Sequence, residues 1–188
     1  MLDIINFMKI EETEIKDVKI IRPTVYNDSR GTFFETFKST FFESNELPNN
    51  FHQDNQVRSK KDVLRGLHYQ LQNPQGKLVQ VAFGSILDVA VDIRLGSPTF
   101  GKYHLVELSS NNRKIFYIPE GFAHGYLVLS DFSIVLYKCT NIYDPKDEHG
   151  IKWNDPDLGI KWGNKSPLLS EKDNSLPNLN DQKHLPKY

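Results

Sequence analysis

The sequence predicts an all-β sandwich or barrel formed by one domain. Short segments in which apolar and polar residues alternate are separated by turns rich in Gly, Pro, Asn and Ser. Little of the chain shows the apolar periodicity of an amphipathic helix, and aromatic residues, with Phe prominent, make up 12% of it. A length of 188 residues suits one domain, and 38% hydrophobic residues suffice for a packed core.

The first part of the chain predicts one hairpin and one helix. Residues 27–31 have turn composition, and residues 32–37 are predicted as a strand. Thr40 and Glu43 have the spacing of a capping box, which predicts a short helix over residues 41–46. Residues 65–81 contain a Pro/Gly turn followed by an alternating apolar segment, and they predict a β-hairpin.

The second part predicts a succession of strands joined by tight turns. Apolar residues alternate along residues 77–83 and again along residues 86–93, with a Gly-Ser turn between them. Further strands are predicted at residues 103–108, 113–118, 126–129 and 133–140. The tail from about Asn174 is polar and contains prolines, so we expect it to wrap around the surface or to remain loose.

The composition argues against several partners and compartments. The net charge of −1 gives no electrostatic basis for binding duplex nucleic acid. A single cysteine, Cys139, cannot form an internal disulfide, and its apolar neighbours predict a buried small side chain. The sequence contains neither a secretory leader nor a segment of transmembrane length, so we expect a cytoplasmic protein without a membrane partner.

The hairpin at residues 65–81 carries three polar side chains that a core strand does not need. Arg65, His68 and Lys77 concentrate cationic donors, which is costly unless an anion or oxyanion lies between them. Strand alternation places Arg65 and His68 on opposite faces. Both can serve one pocket if the strand bulges, and we predict the bulge at Gly66.

Two histidines on an all-β barrel also raise the possibility of a metal site. His124 lies in a glycine-flanked loop that leads into a strand, where a ligand contact and an incidental turn histidine are equally compatible with the pattern. In the triplet 68–70 a glutamine, Gln70, stands where a metal-binding cupin has its second histidine. Glutamine is a poor zinc or iron ligand, and Lys77 would repel a divalent cation, so we expect neither a metal nor another cofactor.

Proton abstraction next to a carbonyl group suits these residues without a metal. A neutral imidazole such as His68 is a suitable base near neutral pH, and an ammonium such as Lys77 can stabilise an enolate oxygen. Tyr137 shares a strand face with Val135 and Cys139, which predicts that its phenol points into the barrel. A base on one side of the substrate and an acid on the other would invert a carbon centre, which is epimerisation.

Several segments resemble the dTDP-4-dehydrorhamnose 3,5-epimerase family. They are residues 63–70 (VLRGLHYQ), 75–79 (QGKLV), 88–92 (DVAVD), 118–125 (IPEGFAHG) and 153–156 (WNDP). They occur in family order, and the likeness runs from about residue 20 to residue 173. The resemblance implies a cupin-like jelly roll with a few short helices. It also implies a homodimer that exchanges N-terminal strands, and a metal-free epimerase that inverts C3 and C5 of a dTDP-4-keto-6-deoxyhexose in rhamnose biosynthesis.

The resemblance also implies roles for individual residues. His68 corresponds to the base, Asp173 to its carboxylate partner, Lys77 to the group that stabilises the enolate, and Tyr137 to the acid. Arg30 and Arg65 correspond to diphosphate contacts, and Tyr143 to a ring stacked on thymine. The remaining substrate-contact positions are Glu35, Gln53, Asn55, His124, Glu148 and Lys172.

Three alternatives stay open at the level of sequence. Related enzymes invert only C3 or only C5, isomerise the keto group or use another nucleotide. The chain departs from the family pattern at Val57, Asp62, Phe83 and Ser85, none of which is among the proposed chemical groups. A metal-dependent cupin oxygenase and a catalytically inert sugar-binding module are the alternatives from other functional classes.

Overall fold

The computed structural model describes residues 8–188, and most of its regular elements are short β-strands. In chain order these elements are β1 (Met8–Glu12), β2 (Lys19–Pro23), β3 (Tyr26–Asp28), β4 (Gly31–Phe33), α1 (Ser39–Ser44), β5 (Gln53–Lys60), β6 (Leu64–Gln70), β7 (Lys77–Phe83), β8 (Ser85–Asp92), β9 (Tyr103–Ser109), β10 (Ile115–Ile118), β11 (Phe122–Val128), β12 (Phe132–Cys139), β13 (Glu148–Gly150), α2 (Glu171–Asn174) and a 3₁₀ helix (Leu179–Asp181).

Two antiparallel sheets form a sandwich. The larger sheet has the order β1-β2-β10-β7-β12-β5, the smaller has the order β13-β6-β11-β8-β9, and β3 and β4 form a separate hairpin. Fully buried apolar side chains pack between the sheets, among them Val79 and Phe116 from the larger and Ala90 and Val128 from the smaller. The all-β sandwich predicted from the alternating segments is therefore confirmed.

Most strand boundaries agree closely with the sequence pattern. β7 has its predicted bounds, and β8 begins and ends one residue earlier than predicted. β10 begins at Ile115 rather than at residue 113, because Arg113 has a φ of 52°, which is incompatible with an extended strand. The segment predicted at residues 126–129 belongs to the longer strand β11, which begins at Phe122.

The strand predicted over residues 32–37 is wrong in its length. It ends at Phe33, because among the strands of residues 8–188 β3 and β4 pair only with each other, over three residues each. Phe37 turns away and packs against two other aromatic rings, with centroid distances of 4.9 Å to Phe42 and 5.4 Å to Phe51. Burial of this aromatic cluster outweighs continuation of an isolated two-stranded ribbon.

The helix predicted from the capping box exists, but its start is different. It spans Ser39–Ser44 instead of residues 41–46, and its N-cap residue, Lys38, makes no side-chain capping hydrogen bond. Thr40 lies inside the first turn and does not cap the helix, so the capping box does not form. Burial of Phe42, and not a capping box, stabilises this helix.

The C-terminal tail wraps over the smaller sheet and its loops. The Asp155 carboxylate accepts a 2.6 Å hydrogen bond from the Leu179 N–H, and Leu179 is buried. At the end of the chain, the Tyr188 N–H donates to the Leu95 carbonyl. The first of the two expectations for the tail is thus confirmed. No helix within residues 8–188 has the length and apolar character needed to cross a membrane.

Candidate active site

A cavity of about 720 Å³ lies between the two sheets. Its walls come from β5, β7 and β12 of the larger sheet, from β6, β11 and β13 of the smaller sheet, and from residues 168–173, which lead into α2. The structure brings together the following sequence-predicted residues around this cavity: Gln53, Asn55, Arg65, His68, Lys77, His124, Tyr137, Tyr143, Glu148, Lys172 and Asp173.

A bulge in β6 places Arg65 and His68 on the same cavity. His68 pairs with His124 and Arg65 pairs with Tyr126, so β6 contains one residue more than β11 between these two pairs. The extra residue reverses the normal alternation of side chains. The bulge predicted at Gly66 is confirmed, and it explains how two side chains three positions apart face one pocket.

Gly66 is required at this bulge for two reasons. Its φ of +120° is a backbone conformation that residues with a side chain rarely adopt. A Cβ atom here would also lie 2.5 Å from the Gly125 Cα and 2.6 Å from the His124 carbonyl oxygen. Strands β6 and β11 therefore approach each other closely beside the two histidines.

His68 is held by a carboxylate from the C-terminal segment. Its Nε2 lies 2.7 Å from the Asp173 Oδ1. The hydroxyl of Ser170, the N-cap residue of α2, accepts a hydrogen bond from the Asp173 N–H. Burial acts to raise the pKa of Asp173, but the hydrogen bond and charge of His68, with the Gly66 N–H, hold this pKa below the ordinary aspartate value. Asp173 therefore stays ionised and can stabilise an imidazolium.

A second carboxylate, Glu148, lies on the other side of the imidazole. The Glu148 Oε1 is 3.8 Å from the His68 Nδ1, while Glu148 also binds Lys172 and accepts a 2.5 Å hydrogen bond from the Tyr143 hydroxyl. Burial acts to raise the pKa of Glu148, but the bonds from Lys172 and Tyr143 lower it below its usual range. The hydrogen bond from the Tyr143 hydroxyl to Glu148 raises the pKa of Tyr143 to about 12.

Lys77 is a buried cation that has no ionic partner in the described part of the chain. Only 8% of this residue is exposed, and within residues 8–188 its ammonium group makes no ion pair or hydrogen bond. Burial lowers its pKa, while the charges of Cys139, Asp88 and Glu148 oppose that shift. An unpaired ammonium in a cavity is a strong site for an anionic or developing negative oxygen.

Tyr137 faces the same cavity from the opposite sheet. It lies on β12 of the larger sheet, whereas His68 lies on β6 of the smaller one. Burial raises the pKa of Tyr137 to about 12, so the phenol keeps its proton near neutral pH. The arrangement therefore offers a base and a proton donor from opposing walls of one cavity, with an ammonium group nearby.

Comparison with known proteins identifies the family. The family model described as dTDP-4-dehydrorhamnose 3,5-epimerase matches residues 12–181. This chain belongs to the dTDP-4-dehydrorhamnose 3,5-epimerase family. It is 52% identical over 167 residues to such an enzyme from Neisseria gonorrhoeae, covering 88% of this chain but 51% of that relative, so it spans about half of the relative's length. It is 50% identical over 173 residues to the enzyme from Methanothermobacter thermautotrophicus, covering 90% and 94% of the two chains.

A solved structure of the family shares the fold over nearly its full length. The dTDP-6-deoxy-D-glucose-3,5-epimerase from Legionella pneumophila, crystallised with dTDP-4-keto-L-rhamnose, is 49% identical. The two structures superimpose with a TM-score of 0.93 and cover 96% of this chain and 98% of that one. The jelly-roll fold that the resemblance implied is thereby confirmed.

Two residues that the epimerase family resemblance implicated do not line this chain's cavity. Arg30 lies at the tip of the β3–β4 hairpin, where it is exposed and binds the Asp28 carboxylate at 2.6 Å. Glu35 follows the hairpin, and its Oε2 is buried without a hydrogen-bond partner among residues 8–188. Their roles as substrate contacts remain predictions.

The sequence interpretation gave no role to Asp88, which lies behind the site. Its Oδ1 is 2.8 Å from the Nε2 of His124, and both side chains are buried. The available signal was a carboxylate in the middle of the apolar strand β8. Cys139 is a buried free thiol, as predicted, although its side chain also borders the cavity.

Metal ligands are not clustered in the part of the chain that the structure describes. Within residues 8–188 no group of three or more His, Cys, Asp or Glu side chains is arranged to hold a metal ion. His68 and His124 each bind a carboxylate through Nε2. Gln70 donates to two backbone carbonyls and accepts from the Asp144 N–H, which is a structural role.

Proposed function

We propose that this chain epimerises C3 and C5 of dTDP-4-dehydro-6-deoxy-D-glucose, forming dTDP-4-dehydro-L-rhamnose for rhamnose biosynthesis. One observation carries the proposal. The imidazole of His68 and the phenol of Tyr137 line a single cavity from opposing sheets, and the unpaired ammonium of Lys77 lies on that same cavity. Family membership supplies the substrate class, since the Legionella pneumophila relative was crystallised with the corresponding keto sugar nucleotide.

The reaction proceeds through enolates. The neutral His68 imidazole removes the proton from a carbon beside the 4-keto group, and the electron pair moves onto the keto oxygen. Lys77 stabilises that oxygen, while Asp173 stabilises the imidazolium. The phenol of Tyr137 then delivers a proton to the opposite face of the same carbon. Exchange of protons with solvent restores both groups, and the sequence repeats at the second carbon.

We propose that the nucleotide lies toward β5, β13 and the residues that precede α2. Arg65 binds the diphosphate, for which its planar guanidinium is suited, and its Nε already donates to the Ser59 hydroxyl at 3.1 Å. Tyr143 stacks on thymine. The other contacts are supplied by Gln53, Asn55, His124, Glu148 and Lys172, all of which border the cavity.

We further propose a cytoplasmic homodimer in which N-terminal strands are exchanged. Residues 1–7 lie outside the described part of the chain, and within it β1 pairs with β2 and β2 with β10. In the dimer, the β3–β4 hairpin of one copy would reach the other copy's cavity and bring Arg30 and Glu35 to the substrate. This arrangement accounts for an exposed arginine and a buried, unpartnered carboxylate oxygen beside an exposed hairpin.

Solvent exchange tests the proposed reaction. In deuterated water, NMR of the dTDP-4-keto sugar should show deuterium at C3 and C5 of the product. His68→Ala and Tyr137→Phe should each slow product formation at least ~100-fold. His52→Ala and Tyr103→Phe are matched controls outside the cavity and should leave the rate unchanged.

Each alternative function gives a different result in this experiment. Exchange at one carbon only would identify a single-centre epimerase. Stoichiometric iron that is required for turnover would identify an oxygenase, and no exchange at either carbon would identify a binding module. Full exchange at both carbons in His68→Ala would refute the proposed base.

A further inference from the structure

The buried carboxylate of Asp88 is only half satisfied by the contacts within the chain. One oxygen, Oδ1, lies 2.8 Å from the Nε2 of His124. The other, Oδ2, is buried and has no hydrogen-bond partner among residues 8–188. A buried carboxylate with a free oxygen is costly unless a positive charge nearby compensates it.

Lys77 carries a buried positive charge that has no ion-pair partner among residues 8–188. Two carboxylates act on this ammonium group, those of Asp88 and Glu148. Glu148 is already neutralised by Lys172 and bound by Tyr143, whereas Asp88 has no cationic lysine or arginine partner within residues 8–188. Asp88 is therefore the carboxylate whose charge remains available to Lys77.

We propose that Asp88 is a positioning residue for the epimerisation, with two effects. It fixes His124 as the tautomer that carries its proton on Nε2, and it keeps Lys77 protonated at the pH of catalysis. The second effect rests on the proposed function, because it matters only if Lys77 stabilises an enolate.

The tautomer follows from the chemistry of the pair. An ionised carboxylate only accepts hydrogen bonds, so the Nε2 of His124 must carry the proton that it donates to Asp88. Burial lowers the pKa of His124, with Asp88 opposing this shift and Lys77 and His68 adding to it, so the ring is neutral near pH 7. Its Nδ1 is then an acceptor, and His124 lines the cavity.

This tautomer determines what His124 can bind. An acceptor nitrogen pairs with a hydroxyl group of the sugar and cannot donate to a keto or enolate oxygen. Stabilisation of the enolate therefore depends on Lys77 rather than on His124. The titratable groups whose charges bear on Lys77 and His124 are Cys139 on β12, Asp88 on β8, Glu148 on β13 and His68 on β6.

Two substitutions separate the two effects. Asp88→Asn keeps an oxygen that accepts from Nε2 but removes the charge, whereas Asp88→Ala removes both. NMR of ¹⁵N-labelled histidine reports the His124 tautomer, and the ¹³Cε shift of Lys77 reports its titration. Neither measurement requires activity. The pH dependence of kcat/KM gives a third measurement.

In the wild-type protein, His124 should carry its proton on Nε2. Asp88→Asn should keep that tautomer while the Lys77 titration midpoint and the alkaline limb of kcat/KM both move down by about one pH unit. The sign follows because loss of a negative charge favours the uncharged amine. Asp88→Ala should also lose the tautomer preference. Asp92→Asn is the control on the same strand, since its carboxylate binds Arg94, Ser97 and Thr99, and it should leave both NMR signals unchanged.

The proposal fails if Asp88→Asn leaves the Lys77 midpoint where it is in the wild-type protein. It also fails if the wild-type His124 carries its proton on Nδ1. If Asp88→Ala does not fold, two measurements still test the proposal: the Lys77 titration midpoint in Asp88→Asn and the His124 tautomer in the wild-type protein. If the wild-type protein does not exchange deuterium into the keto sugar, the proposed reaction is refuted, and the two NMR measurements still test the role of Asp88.

Discussion

Substitution of Gly66 by alanine tests how the bulge in β6 assembles the site. Gly66 has a φ of +120°, and strain of this kind costs about 1–3 kcal/mol for a residue with a side chain. The new Cβ would lie 2.5 Å from the Gly125 Cα, about 0.9 Å closer than the 3.4 Å limit of ordinary contact. Because the obstacle is backbone, relief requires movement of a strand, which costs a further ~1–3 kcal/mol.

Gly96→Ala is the matched control for this substitution. Gly96 also has a positive φ, +90°, but a Cβ there would meet nothing within 4 Å. Gly66→Ala should therefore reduce the free energy of unfolding by about 2–6 kcal/mol and Gly96→Ala by about 1–3 kcal/mol, measured by urea denaturation. The difference between the two losses of unfolding free energy is the cost of the clash between the new Cβ at position 66 and the β11 backbone.

The same substitution should reduce activity more than stability alone explains. A displacement of nearly 1 Å at Gly66 moves His68, two residues further along β6, and a misplacement of this size costs about 100-fold in rate. Deuterium exchange on the folded fraction measures the effect. Equal unfolding free energies for the two alanine variants, together with a wild-type exchange rate for Gly66→Ala, would refute this account of the bulge.

Three further substitutions have expected outcomes. Asp173→Asn should lower kcat about 10³-fold, because it removes the charge that stabilises the His68 imidazolium; kinetics normalised to the folded fraction of the variant checks this. The pKa of Asp173 is depressed in the folded state, so its carboxylate stabilises the fold above its unfolded pKa of about 3.9. This contribution is lost as pH falls through the folded pKa. In Asp173→Asn the free energy of unfolding should therefore fall less steeply with decreasing pH than in the wild-type protein. Lys77→Met should abolish turnover. Because burial lowers the pKa of Lys77, the free energy of unfolding of the wild-type protein should rise relative to that of Lys77→Met as pH rises toward 10.5, as urea titrations would show. Asp155→Ala should cost about 2–3 kcal/mol and expose the tail to proteolysis, because the Leu179 N–H loses its acceptor; an unchanged cleavage rate would contradict it.

The sequence was most informative where local chemistry determines the structure. The alternation of β7 predicted its bounds, and the conflict between strand period and the positions of Arg65 and His68 predicted the bulge at Gly66. Both conclusions depend on neighbouring residues only. The helix start was wrong because burial of Phe42, a tertiary effect, determines it instead of the cap.

Residue spacing could not predict the contacts between segments that are distant in the sequence. His68 and Asp173 are 105 positions apart, and only the family resemblance paired them. Asp88 and His124 meet across neighbouring strands β8 and β11, which no local pattern specifies. The Asp88–His124 pair follows from the order of strands in the sheet, which local alternation does not determine.

The position of Asp173 after the last strand has a consequence for biosynthesis. Both sheets are complete at Gly150, but the carboxylate that engages His68 arrives with α2, more than twenty positions later. A ribosome-bound intermediate can thus acquire its whole β framework while the dyad is still unmade. In the proposed mechanism the reaction requires the segment that carries Asp173 to dock, so copies cleaved before α2 should be inactive.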